Sequence, residues 1–500
     1  DQTGIRMLQK MTRIRQCIAF FMAICLVAPA MAPSARAITI GEEKELAEEF
    51  LETVRNRYTI VEDAMIDKYI NDLGQSILSE LPPQPFDYNF YVIKQDTINA
   101  FAGPAGNIFV FSGLIEAMDT ESELAGILAH EIAHVSSRHI SELIAESKKS
   151  QMVSMAGLIA GILVGLGGAG EVGSALSVGS LAAGQSMILA YTREREMEAD
   201  YLGRKYLTQS GYSLYGLRAA LQKIRDREWY GEEQVPTYLK THPATRQRLA
   251  NLDNALSGLP GRAPENTFAF DRTRAALMAK FGNPAEAAER FREELARDEN
   301  NAAAQYGLAL ALAESGRPET ALENMKHAVS MRPEDPYMAV DLGRLEFKAG
   351  KYDKAEKTLS SIENLSEHGP KGLFFRGRAR MAGGKTEAAI ADFKKVAEAF
   401  PDYPRALLFL GQSLGEQGKL AEAHYYLGRY YRESGELENA MFHLKRALRE
   451  TGDPVLTEKI HKAQEILKDK QAKKSKQDRE NRSEGPGKNF IFSQSGKTSW

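Results

Sequence analysis

The sequence predicts two architectures in one chain: an α+β domain, mostly helical with a small sheet, followed by an all-α solenoid of helical repeats. Three observations carry this. Glycines at 282, 316, 350, 384 and 418 stand 34 residues apart. Strand-like runs at 88–94 and 108–112 interrupt helical spacing in the first third of the chain. A His-Glu-x-x-His sequence at 130–134 sits inside an apolar helical run. The 500 residues suggest about three domains. Apolar residues at 43% and charged residues at 26% exclude wholesale disorder and a collagen-like chain. With 64 basic against 67 acidic residues and a net charge of −3, no basic surplus points to nucleic acid.

Residues 1–37 read as a secretory signal peptide. Arg6, Lys10, Arg13 and Arg15 precede an apolar run from Cys17 to Ala28, too short to span a bilayer. Ala35-Arg36-Ala37 supplies a small-residue cleavage site, and an uncleaved anchor is the alternative. Cys25 follows Ile24 rather than a small residue, which argues against lipoprotein processing. The 2 cysteines, Cys17 and Cys25, both lie in this segment, so a disulfide framework is excluded for the rest. The chain is therefore expected to be exported.

The catalytic-type domain is expected over 38–265. Leu46, Phe50, Leu51 and Val54, then Ile66, Ile70, Leu73, Ile77 and Leu78, repeat at helical spacing. Pro82-Pro83 ends that stretch, and Gly103, Pro104 and Gly106 punctuate the two strands. Helix resumes after Thr120, a fair N-cap with Glu123 three residues on. Segment 151–192 differs in kind, since Glu171 is its only charge and Gly, Ala and Ser alternate with Leu, Ile and Val. It reads as two apolar helices joined by a turn at Gly165 to Gly173. Such a hairpin is either a buried or lid-like element or one that touches a membrane, because small residues permit close helix contacts.

The repeats are expected over 266–467. Five residues after each glycine stands Ala287, Ala321, Ala355, Ala389 or Ala423, and four further comes Phe291, Met325, Leu359, Phe393 or Leu427. Seven residues before each glycine is a small residue: Ala275, Ala309, Gly343, Gly377 or Gly411. Small residues let two helices cross closely, and glycine turns the chain between them. A last unit, Gly428, Gly435, Ala440 and Leu444, repeats the spacing after only 17 residues. This pattern resembles the tetratricopeptide repeat. Such repeats stack into a curved solenoid that commonly binds peptide or protein, with a simple spacer as the plainer alternative. Segment 468–500, rich in Lys, Gln, Ser, Asn and Gly, is expected to be disordered.

Only four of the 9 histidines precede the repeats: His130, His134, His139 and His242. Four residues advance a helix by about 400°, so His130 and His134 share one face and can hold one metal ion. Glu131 stands on the adjacent edge, placed to take a proton from water. His139 follows His134 by five residues, which on a continuous helix rotates it about 140° away. A catalytic zinc needs a third protein ligand and one open position. Glu196 and Asp200 are four apart in a polar helical stretch, so one can ligate and the other can hydrogen-bond a ligand histidine. Glu198 points elsewhere.

His130 to His134, followed by Glu196-x-x-Ala199-Asp200 and Gly203, resembles the M48 metallopeptidases. Asn99-Ala100-Phe101, the run Pro104 to Leu114, and Thr241-His242-Pro243 with Arg248 and Leu249 resemble further segments of that family. The resemblance covers about 40–265 and implies a zincin-like metallopeptidase fold. It implies one zinc ion per chain on His130, His134 and Glu196, with Glu131 as general base and Asp200 supporting a ligand. His242 is expected either to reach the zinc and fill its fourth position, giving a latent enzyme, or to donate a hydrogen bond to substrate. Arg248 would stabilise an oxyanion or a substrate carboxylate, or hold its loop by a salt bridge. The strand Asn107 to Phe111 is expected to offer an edge to an extended peptide, with a buried sheet position as the alternative.

The expected function is an exported zinc endopeptidase acting on unfolded or stalled envelope proteins. Through the resemblance, outer-membrane β-barrel precursors are the favoured substrates, and the repeats would contact protein partners such as the barrel-assembly machinery. A periplasmic chaperone or scaffold with a capped zinc site is the alternative. A membrane-embedded processing peptidase using 151–192 is a third.

Overall fold

A computed structural model describes residues 38–149, 192–229, 238–239, 242–243, 246–257 and 266–483. The expected leader at 1–37 and the apolar segment, apart from its last residue, lie outside the described residues. Among the described residues, no helix is long and apolar enough to cross a membrane. The chain divides into two compact units, one of 1–61 with 70–267 and one of 62–69 with 268–500.

The first unit opens with helix Ile40–Arg57, held by a capping box: the Thr39 hydroxyl accepts from the Glu42 N–H, and the Glu42 carboxylate accepts from the Thr39 N–H. Its Leu46, Phe50 and Val54 face the sheet residues Phe101, Phe109 and Phe111. After helix Ala64–Leu78 come β1 (Asn89–Ile93), β2 (Ala100–Ala102) and β3 (Asn107–Phe111). The sheet order is β1-β3-β2, with β1 parallel to β3 and β2 antiparallel to it. The expectation of a peptide-accepting edge at 107–111 is therefore corrected. β3 is the central strand, all five of its residues are buried, and its backbone groups are used by neighbours on both sides. A continuous apolar run such as Asn-Ile-Phe-Val-Phe suits a strand covered on both faces. The outer side of β1 is covered by Thr59–Val61, where Val61 N–H donates to Val92 C=O at 2.8 Å. Among the described residues β2 is the edge left over.

Helix Glu121–Ser136 carries the His-Glu-x-x-His sequence, and Thr120 caps it through the Glu123 N–H. Every residue from Glu121 to Val135 is buried. Two glycines explain how a helix can be enclosed on so many sides. A Cβ on Gly126 would come within 2.6 Å of the Leu217 Cα, so helix Leu214–Trp229 crosses there in direct backbone contact. A Cβ on Gly203 would meet the backbone of Ala129 and His130 at 3.3 Å. That close approach brings helix Arg193–Gln209, with Glu196 and Asp200, against the two histidines.

The second unit is a run of antiparallel helix pairs beginning at Phe268–Phe281 and Pro284–Arg297. The period is visible in backbone geometry. Gly316, Gly350, Gly384, Gly418 and Gly435 have φ of 73°, 71°, 74°, 75° and 77°. The N–H of the next residue bonds back five positions, for example Lys385 to the Arg380 carbonyl at 2.8 Å, which closes each helix with a Schellman turn. Gly282 departs from the set: its φ is not positive, and its N–H bonds directly to the Leu277 carbonyl at 3.2 Å. The small–large pairs meet as well, for a Cβ on Gly343, Gly377, Gly411 or Gly428 would strike Leu359, Phe393, Leu427 or Leu444 at 2.5–2.8 Å. The unit that reads as out of phase is continuous in space. Helix Leu420–Glu433 pairs with Pro404–Glu416 on one side and with Leu437–Glu450 on the other.

The expected disordered tail from 468 is corrected in part. Helix Pro454–Ser483 runs sixteen residues past Leu467, after Leu456, Ile460, Ala463 and Leu467 have packed on Ala440, Leu444 and Ala447. Lys, Gln, Arg and Glu, which make the segment polar, are also good helix formers, so an anchored helix propagates through them.

Candidate metal centre

Three chain segments converge on one buried point. His130 and His134 lie a turn apart, their Nε2 atoms 3.1 Å from each other. Glu196, on the first turn of helix Arg193–Gln209, places Oε1 3.3 Å from His134 Nε2 and Oε2 3.5 Å from His130 Nε2. His242 closes the group with Nδ1 2.9 Å from Glu196 Oε1. One ligand-type atom from each of the four lies within 4.8 Å of the others, and all four side chains are buried. The Tyr238 ring stacks on His242 at 4.7 Å and 23°, and the His242 N–H donates to the Tyr238 carbonyl at 2.8 Å.

Behind the four sits a supporting layer. Asp200 Oδ1 lies 3.1 Å from His130 Nδ1. Arg248 grips the Asp200 carboxylate through Nε at 2.7 Å and Nη2 at 2.8 Å, and its Nη1 reaches Glu196 Oε2 and the Pro243 carbonyl. Burial opposes charge on Asp200, but hydrogen bonds from His130 and Arg248 outweigh it and hold its pKa at about 2. Burial likewise works against Glu196, yet His242 and Arg248 keep that carboxyl well below the usual range. All three Arg248 nitrogens make contacts inside the protein, as expected of an arginine that holds its loop by a salt bridge.

Glu131 is fully buried, and among the described residues neither of its carboxylate oxygens has a hydrogen-bond partner. Its Oε1 lies 3.7 Å from His242 Nε2, and burial pushes its pKa up. Three imidazoles and a carboxylate within bonding reach of one point, beside a carboxylate left unsatisfied, form a donor set that fits a dication such as zinc. Three buried acids, Glu131, Glu196 and Asp200, face one buried arginine, Arg248, which adds to the fit.

Two neighbours escaped the sequence reading. Tyr238 was not singled out, although it precedes His242 by four residues in a helical spacing. His139 was set aside as a ligand, but it lies against the site: its Nδ1 is 2.9 Å from His134 Nδ1, and its Nε2 is 3.4 Å from Glu198 Oε2. The helix ends at Ser136 and Arg138 adopts φ 57°, so the rotation expected for a continuous helix does not apply.

A helix bearing paired histidines, with a carboxylate from a second helix and a small sheet alongside, forms a centre that can hold a metal ion. Residues 62–256 match peptidase family M48, and 277–336, 312–365, 376–423 and 421–453 match tetratricopeptide repeats. The chain thus carries a peptidase family M48 domain followed by tetratricopeptide repeats. Among its relatives, the beta-barrel assembly-enhancing protease of Escherichia coli (strain K12) is 28% identical over 310 residues, covering 58% of this chain and 62% of that protein. The protein of the same name from Yersinia pestis is 32% identical over 217 residues, covering 43% of this chain and 44% of its own. Metalloprotease LoiP of Escherichia coli (strain K12) is 25% identical over 225 residues, covering 45% of this chain and 84% of its own. The chain therefore spans less than two thirds of the length of the first two relatives. Among solved structures, the tetratricopeptide protein YrrB matches at 19% identity and a TM-score of 0.30, over 35% of this chain and 91% of that one.

Proposed function

We propose that this chain is an exported, zinc-dependent endopeptidase that cleaves unfolded or stalled envelope proteins, in quality control of outer-membrane protein assembly. The observation that carries the reading is the buried convergence of His130, His134, Glu196 and His242 beside Glu131. His130, His134 and Glu196 would hold the zinc, and His242 would occupy the fourth position at rest. When bound, zinc supplies a Lewis acid that polarises a carbonyl and acidifies water.

The chain's own residues do the rest. Glu131 accepts the proton of the attacking water and delivers it to the leaving amine. Asp200 orients His130 through Nδ1, which keeps the His130 Nε2 lone pair aimed at the centre. Arg248 fixes Asp200 and Glu196 in turn. An extended peptide would add to the open edge of β2, which packs on the helix of His130 and His134.

Location and partners rest on other support. The leader-like composition of 1–37 and the names of the relatives favour the periplasm and barrel assembly. On the repeats, Arg378 lies over the Phe347 and Phe409 rings at 4.9 and 4.0 Å, and Arg405 over Phe374 at 5.3 Å. That surface suits the acidic and apolar side chains of a protein partner, the barrel-assembly machinery among the candidates.

His242 favours one second reading, a scaffold or chaperone whose zinc is permanently capped. Cleavage of an unfolded protein by the zinc-loaded chain, beside Glu131→Gln, separates the two. The peptidase reading expects equal zinc content and cleavage lost in the variant. Cleavage by neither, with His242→Ala also inactive, would move the reading to the scaffold.

A further inference from the structure

We infer that His139 and Glu198 form a hydrogen-bonded support for His134, fixing which nitrogen of that imidazole is presented to the metal. The inference rests on the zinc reading above.

The argument starts at His134. Its Nε2 faces His130 Nε2 and Glu196 Oε1 at 3.1 and 3.3 Å, so that is the atom turned toward the centre. To offer a lone pair there, a neutral imidazole must carry its proton on Nδ1. His134 Nδ1 lies 2.9 Å from His139 Nδ1, and it therefore donates. His139 Nδ1 must then be the acceptor, which leaves the His139 proton on Nε2. That atom lies 3.4 Å from Glu198 Oε2, whose carboxylate also accepts from the Ser137 hydroxyl at 3.3 Å. One direction of donation satisfies the whole chain: His134 to His139, and His139 to Glu198.

The backbone is shaped to make this contact. Arg138, between the end of one helix and the start of the next, has φ 57°, a left-handed conformation unfavourable for a residue with a side chain. Its side chain is held there by two acceptors, the Glu43 carboxylate at 2.8 Å and the Ile38 carbonyl at 2.9 Å. Glu43 is buried and also accepts from Ser141. The turn so enforced folds His139, itself only 2% exposed, back against His134. His139 is a positioning residue: it touches a ligand, not the reacting atoms. It complements Asp200, which takes the same part for His130 from the other side.

The test is zinc affinity by chelator competition, with the visible spectrum of the cobalt-substituted chain as a second readout. His139→Leu fills the volume without an acceptor and is expected to weaken zinc binding about 10–100-fold and alter the cobalt spectrum. His139→Asn restores an acceptor and should recover much of the affinity. Glu198→Leu should give a smaller loss, because the Glu198 side chain is 56% exposed and water can replace it. Unchanged affinity and spectrum in His139→Leu would overturn the inference. So would equal loss in Leu and Asn together with a lowered melting temperature of the metal-free chain, which would show a packing role alone. A wild-type chain and a His242→Ala variant that both bind zinc but cleave nothing would sink the peptidase reading and leave this one standing.

Discussion

The Arg248 guanidinium meets the Asp200 carboxylate in two parallel contacts, Nε to Oδ2 at 2.7 Å and Nη2 to Oδ1 at 2.8 Å, with both side chains buried. Such a fork joins helix Arg246–Leu256 to the helix that carries Glu196. It also gives the buried Asp200 carboxylate a second partner besides His130.

Arg248→Ala should therefore destabilise the first unit by about 3–5 kcal/mol, since it strands a buried charge. Arg248→Lys should not rescue it, because an ammonium cannot reproduce the bidentate geometry. Chemical denaturation of the three proteins, with zinc content measured alongside, checks both statements. Wild-type stability and zinc content in the lysine variant would show that charge alone suffices.

His242→Ala opens one of four positions around the centre while leaving His130, His134 and Glu196 in place. Cleavage of an unfolded protein should rise several-fold while zinc remains bound. Unchanged or lower activity would mean that His242 does not cap the site.

The repeats offer a contrast between two kinds of glycine. Gly377→Ala drives a Cβ to within 2.6 Å of the Phe393 ring and should cost about 1–3 kcal/mol through overpacking. Gly384→Ala meets nothing within 4 Å, and its cost, about 1 kcal/mol, comes from φ 74° alone. Asparagine, which tolerates that φ, should therefore recover part of the loss at 384 and none at 377. Denaturation midpoints of the four variants separate contact from conformation.

Asp67 provides a pH test in the second unit. Burial, then the neighbouring Asp63, pushes its pKa up from 3.8 to about 7, with Glu62 adding to the rise and Lys371 opposing it. A carboxyl raised on folding contributes stability that is present below pH 4 and fades as pH rises through 7. Asp67→Asn should flatten that dependence and gain about 1–2 kcal/mol at pH 8, after discounting for solvent on its exposed side. Asp63 behaves oppositely: Lys280 and Lys371 overcome its burial and hold it at about 2, so its contribution is lost only in strong acid. Equal pH profiles for wild type and Asp67→Asn would contradict the assignment.

Much of this protein was legible in order along the chain. Thr120 read as a cap and caps. The glycines 34 apart read as turns, and from Gly316 on they adopt the φ that turns require. The small residues seven before them read as helix crossings, and Gly343, Gly377 and Gly411 meet the expected partners. His139 stands outside the four-residue group, as its spacing implies, but lies nearer to it than one continuous helix would place it, because the chain turns at Arg138, whose side chain Glu43 holds. The strand 107–111 was read as an edge because nothing local says which strands flank it. The helix past Leu467 was missed because polarity alone does not separate a solvated coil from an anchored helix.

By itself the sequence determined everything set by spacing on a single element: that His130 and His134 share a face, that Glu196 and Asp200 do too, and that a 34-residue unit recurs. Those relations follow from the rise and rotation of one helix, which a few consecutive residues dictate. Only the tertiary structure decided that Glu196 rather than Asp200 faces the two Nε2 atoms, that His242 completes the group, and that Arg248 is committed to salt bridges. These are relations between segments far apart in the chain. They are chosen by which backbones can approach, here at Gly126 and Gly203, and by where buried charges find partners.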